Sequence, residues 1–234
     1  MILDRRSEPK FGKIEKIDLL EPKIQHLDNG IPVLSVDAGT QDVLKVELVF
    51  AAGTGASDKR LVASATTKLI TEGSSKRSAK EIAESVDFYG AYLQTELAHD
   101  DSSICLYTLN KHLPKTIKTL AEVYSDAAFP QRELDTFVLK NQQEMLVNQE
   151  KVGYLSAKAF SAALYGSDHP YGRSAEVDDY GKLSREDLVQ FHNSDILNKI
   201  NYVLIAGKLT DSTIAQLNEQ IGQVTRENPA VLSY

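Results

Sequence analysis

Between residues 61 and 78 the chain reads LVASATTKLITEGSSKRS, and this stretch restricts the possible folds more than any other. Leu61, Val62, Ala65, Leu69 and Ile70 recur at the spacing of one apolar helical stripe, and Gly73 follows as a stop signal. The expectation is a helix of about three turns, buried along one side and entered from a Gly53-Thr54-Gly55 loop with Asp58 as its N-cap. Just beyond Gly73, Ser78-Ala79-Lys80-Glu81 forms a capping box that opens a second helix carrying Ile82, Ala83, Val86 and Phe88 and stopping at Gly90. Each helix has an apolar side to cover.

The flanking segments supply a sheet. Asp28-Asn29-Gly30 separates the segments 24–27 and 31–36, a hairpin signal because Asn and Gly tolerate positive φ. Residues 43–51 alternate Val43, Lys45 and Glu47 against Leu44, Val46 and Leu48, the pattern of a half-buried strand. Two further strands, 91–98 and 103–109, are joined by His99-Asp100-Asp101-Ser102. Helices are expected over 113–129, over 131–151 after Pro130, and over 154–165 beyond Gly153. A helix capped at Ser184, a strand over 202–206 and a last helix capped by Thr210 or Asp211 and reaching about Ile221 complete the pattern. Strands in consecutive pairs and helices in clusters indicate an α+β fold, with a largely antiparallel sheet of about five or six strands and helices packed on one face. Residues 1–22, polar with Pro9 and Pro22, read as an extended arm; 23–226 read as a single domain, and 227–234 as the start of a linker to a second half.

Apolar residues make up 42% of the chain and charged ones 25%, an ordinary globular balance. A net charge of −7, with only the short Lys76-Arg77 basic pair standing out, argues against a nucleic-acid partner. Cys105 is the single cysteine and sits in an alternating apolar run, where it reads as a small strand residue rather than a nucleophile. No run of about 18 apolar residues and no leader pattern occur, which makes a cytoplasmic location the default expectation.

Several short motifs follow one another along the chain: Leu27-Asp28-Asn29-Gly30, Ala52-Gly53-Thr54, Arg77-Ser78-Ala79-Lys80-Glu81-Ile82, Gly90-Ala91, His169-Pro170-Tyr171-Gly172, and the strand Asn201-Tyr202-Val203-Leu204-Ile205-Ala206-Gly207. In that order and spacing the chain resembles the pitrilysin and insulinase family of zinc metallopeptidases, which includes the mitochondrial processing peptidases and carries H-x-x-E-H on its first helix. Matching Gly73 and Lys76-Arg77-Ser78 to the residues that follow that motif puts the two His positions on Ser64 and Lys68 and the Glu position on Thr67. Hydroxyls and an ammonium are neither zinc ligands nor a base for a metal-bound water. The family's third ligand, a Glu on a later helix, falls at Glu144, 144 − 68 = 76 positions beyond Lys68.

The resemblance therefore implies a domain without catalytic residues and without zinc, in which Glu144 is a vestigial ligand position. It also implies a partner, an active zinc peptidase subunit or second half carrying H-x-x-E-H, and a role in enclosing an unstructured peptide. In the family a peptide adds along the sheet edge matched here by 91–98, so Leu93, Gln94 and Thr95 are the expected contacts. In place of the metal, Lys68 and Glu144 are expected to form a partly buried ion pair. Two other readings stay open: an active metalloenzyme using Glu144 with His99 or Asp100, and a purely structural scaffold subunit. His169, in a Gly-flanked loop, and His99, at a hairpin tip, read as turn residues rather than ligands.

Overall fold

The computed structural model describes Gly12 and residues 19–224. Most of the expected N-terminal arm and all of the expected 227–234 linker therefore lie outside the described residues. Strand β1 (Lys23–His26) and β2 (Pro32–Asp37) form the predicted hairpin, with Gly30 at φ 81° in its turn. Then come β3 (Val43–Phe50), helix α1 (Val62–Leu69), α2 (Ala79–Asp87), β4 (Tyr92–Leu97) and β5 (Ser102–Leu109). The rest is α3 (Leu113–Ser125), α4 (Gln131–Gln149), α5 (Val152–Tyr165), α6 (Val177–Tyr180), α7 (Arg185–Phe191), β6 (Ile200–Gly207) and α8 (Thr213–Gln220). The fold is α+β, a six-stranded mixed sheet in the order β1-β2-β6-β3-β5-β4.

Alternation along β3 places Leu44, Val46, Leu48 and Phe50 on one face, where Ile104 and Leu106 of β5 and Val203 and Ile205 of β6 join them, all buried. Helix α3 covers this face with Ile117, Leu120, Val123 and Tyr124, and the Tyr124 ring stacks on Phe50 at 5.7 Å between centroids. The opposite face is polar at its centre: Lys45 pairs with Glu47 at 2.7 Å beside Cys105 and Tyr107. Burial, reinforced by the Glu47 charge, pushes the Cys105 thiol up to about 12, so it is an inert strand residue.

The sheet is largely antiparallel, as expected; the β2–β6 pair is parallel, joining residues 170 positions apart in the register Val33↔Val203, a pairing that no local signal encodes. Other sequence expectations need correction. Helix α1 spans eight residues, little more than two turns, and its N-cap is Leu61 rather than Asp58. Leu61 itself is left-handed at φ 68°, an arrangement that tertiary packing imposes on a branched residue. Ser212, not Thr210 or Asp211, precedes α8, and its side chain makes no capping bond. Helix α6 forms where no helix is expected from the sequence, with Glu176 and Asp179 capping it reciprocally.

Two polar clusters fix α1 and α2 against the rest. The Arg77 guanidinium grips Glu122 of α3 through Nε (3.0 Å) and Nη2 (2.6 Å) and donates to Ser85 at 2.8 Å, while Ser74 Oγ donates to the same carboxylate at 2.6 Å. Asp179 accepts from Lys182 at 2.8 Å, from Arg60 at 3.2 Å and from the Glu176 backbone N–H at 2.9 Å, tying the approach to α1 to α6. Burial alone would raise the Asp179 carboxyl, but these donors outweigh it and hold it at about 2. A depressed carboxyl stabilises the fold above its ordinary 3.8 and loses that contribution as the pH falls towards about 2. Asp179→Asn is expected to cost about 1–2 kcal/mol at pH 7 and to flatten the decline in stability between pH 4 and 2, as read by urea unfolding across that range. An acid limb identical to that of the unmodified chain would exclude Asp179 from it.

Candidate functional site

Ser64 and Lys68 stand one turn apart on α1, and Glu133, Phe137, Lys140 and Glu144 follow one face of α4. The two faces enclose a groove of about 620 Å³ that Leu69, Glu72 and Asn141 also line. The register expected from the sequence thus brings Ser64, Lys68 and Glu144 to one place. The expected Lys68–Glu144 ion pair is not there: both residues are exposed, and no ion pair within 4.0 Å joins them. Water screens charges on the rim of an open groove, so little would be gained by fixing two long side chains together.

Thr67 points elsewhere. It is 3% exposed, and its hydroxyl has no hydrogen-bond partner among the described residues, so it packs as a small apolar group behind the groove. Sequence reasoning missed the other carboxylates here. Burial raises the Glu72 carboxyl, and the nearby Glu133 charge adds to the effect. The 133/137/140/144 spacing along α4 was the signal that could have placed Glu133 and Lys140 beside Glu144.

This donor set does not fit a catalytic zinc. Ser64 offers a hydroxyl and Lys68 an ammonium, leaving Glu144 as the one ligand-type side chain among the matched positions. Among the described residues, no group of three or more His, Cys, Asp or Glu could hold a metal ion. The alternative set of Glu144 with His99 or Asp100 is not brought together: Glu144 lines the α1–α4 groove, whereas His99 and Asp100 line a separate pocket with His169 and Tyr171.

Strand β4, carrying Leu93, Gln94 and Thr95, is the last strand of the sheet. It pairs with β5 through Leu93↔Leu106, Gln94↔Cys105 and Thr95↔Ile104, and no strand among the described residues lies on its other side. Helix α1 packs against β4, so the groove and this edge are neighbours.

Residues 33–174, more than half of the chain, match the family described as insulinase, peptidase family M16. The chain belongs to the M16 family. An uncharacterized zinc protease of Rickettsia felis is 21% identical over 202 residues, covering 85% of this chain and 49% of the relative. Subunit 1 of the mitochondrial cytochrome b-c1 complex of Bos taurus is 26% identical over 180 residues, 73% of this chain and 36% of the relative. Among solved structures, a peptidase M16 inactive domain from Pseudomonas fluorescens superposes with a TM-score of 0.82 at 23% identity, covering 92% of this chain and 53% of that one. The fold is that of an M16 half-domain, and the chain spans about half the length, or less, of the curated relatives it matches.

Proposed function

We propose that this M16 domain is non-catalytic, binds no zinc, and pairs with a zinc peptidase subunit or half carrying H-x-x-E-H, with which it encloses an extended peptide. The observation that carries this reading is the α1–α4 groove, in which Ser64 and Lys68 stand opposite Glu144 at the positions matched to the family's ligands. The half-length match to relatives supports pairing with a second domain. Among the described residues the outer edge of β4 carries no partner strand, which supports peptide binding, because such an edge offers a row of backbone donors and acceptors to an extended chain.

Titration with an unstructured, isotopically unlabelled hexapeptide should move the amide signals of Leu93, Gln94 and Thr95 of the labelled chain, with a Kd of about 0.1–1 mM for so short an interface. Signals that move only elsewhere would overturn the β4 assignment. The similarity to a cytochrome b-c1 subunit favours a second reading, a scaffold without peptide binding, and that reading predicts no saturable shift anywhere.

A further inference from the structure

The two histidine-bearing loops, read from sequence as separate turns, meet. His99 stacks on Tyr171 at 4.7 Å between centroids, Tyr165 stacks on His169 at 5.6 Å, and Tyr165 and His169 both set an edge against Tyr171, at 5.3 and 5.1 Å. The Tyr171 hydroxyl donates to the Asp100 carboxylate, whose two oxygens both lie at 2.6 Å. These groups line a pocket of about 610 Å³ at the end of the sheet.

The loops are held in place by backbone packing together with hydrogen bonds to the two His rings. A Cβ at Gly53 would fall within 3.0 Å of the His99 and Asp100 backbone, and one at Gly172 within 3.0 Å of the Gly166 backbone. Gly55 N–H donates to the His99 carbonyl at 2.9 Å, Thr54 Oγ1 bonds His99 Nδ1 at 3.1 Å, and the Tyr171 N–H donates to His169 Nδ1 at 3.1 Å. The rings are thus preorganised although they add little to the core: Tyr165 is 48% exposed, and α5, which ends with it, buries no residue.

Four aromatic rings beside a carboxylate favour one ligand chemistry. Ring faces attract cations, and Asp100 adds a full negative charge while repelling anions. The pocket's own cation, Lys199, is occupied, because its ammonium is held by Asp195. We infer that the pocket of Tyr165, His169, Tyr171, His99 and Asp100 binds an organic cation presented by a peptide, either an amino terminus or a basic side chain. Strand β4 runs towards His99, so a chain added antiparallel to it begins at this end. This last link rests on the peptide-binding reading above; the affinity of the pocket for cations does not.

The test uses small probes that cannot add to a sheet: N-acetyl-arginine amide, N-acetyl-lysine amide, alanine amide with a free amine, and the neutral control N-acetyl-alanine amide. Titrated into the full chain, at least one cation should shift the ring signals of Tyr165, Tyr171 and His169 saturably in the millimolar range, at least about tenfold more tightly than the control. The acetylated cations report side-chain recognition, and alanine amide reports recognition of an amino terminus. Asp100→Asn should weaken binding at least about fivefold and Tyr165→Leu at least about threefold. Tyr165 is exposed and its replacement leaves the core intact, so that variant decides alone if Asp100→Asn loosens the 99–101 turn. Equal response to the neutral probe, no saturable shift with any cation, or unchanged affinity in Tyr165→Leu would overturn the proposal. Failure of hexapeptide binding at β4, with cation binding intact, would instead count only against the peptide-binding reading.

Discussion

Ser64→His combined with Lys68→His is expected to create a zinc site in the α1–α4 groove. The two positions lie one turn apart on the same face of α1, and Glu144 lines the opposite wall of the groove. Two imidazoles and a carboxylate form a three-ligand set found in catalytic zinc proteins. The double variant should bind one zinc per chain, and at a free zinc concentration of 100 times its Kd gain about 2.7 kcal/mol of stability. Glu144→Gln added to it should abolish most of that gain. Peptidase activity should not follow, because Thr67 supplies no carboxylate to act as base for the metal-bound water. A folded double variant that takes up no zinc would show that α1 and α4 do not present these residues as the M16 register requires.

The largest loss of stability from one surface-proximal substitution is expected at Arg77. Arg77→Leu removes a two-pronged grip on Glu122 and leaves that carboxylate, 19% exposed at its side chain, without its cation. Hydrogen bonding to Arg77 dominates the lowering of the Glu122 carboxyl, so the cluster is poised for a charged acid. Removal should cost about 2–4 kcal/mol, less than for a fully buried pair and more than for an exposed one. Arg77→Lys keeps the charge but loses the planar fork and the reach to Ser85, and should recover only part of the loss. Equilibrium unfolding in urea measures both, and a change below about 0.5 kcal/mol in Arg77→Leu would deny the cluster a structural role.

What the sequence exposed was mostly local. The Asp28-Asn29-Gly30 turn, the Ser78 and Ser184 capping boxes, Pro130 at the start of α4 and the alternation of β3 each encode their element in neighbouring residues. The parallel β2–β6 pair, the left-handed Leu61 and the meeting of the His99 and His169 loops arise from contacts between distant segments, which no window of sequence contains. The matched ligand positions did converge on one groove, but the ion pair expected between Lys68 and Glu144 did not form. Spacing along two helices fixes where side chains start, whereas solvent decides whether two long charged ones meet.

Zinc binding by the unmodified chain tests the central claim most directly. Purified without added metal, stripped with chelator and then titrated with zinc in a calorimeter, the domain should show no stoichiometric site at micromolar concentrations, because Glu144 is the one ligand-type side chain among the matched positions. One zinc per chain bound with sub-micromolar affinity, accompanied by peptide cleavage that chelation abolishes, would contradict it.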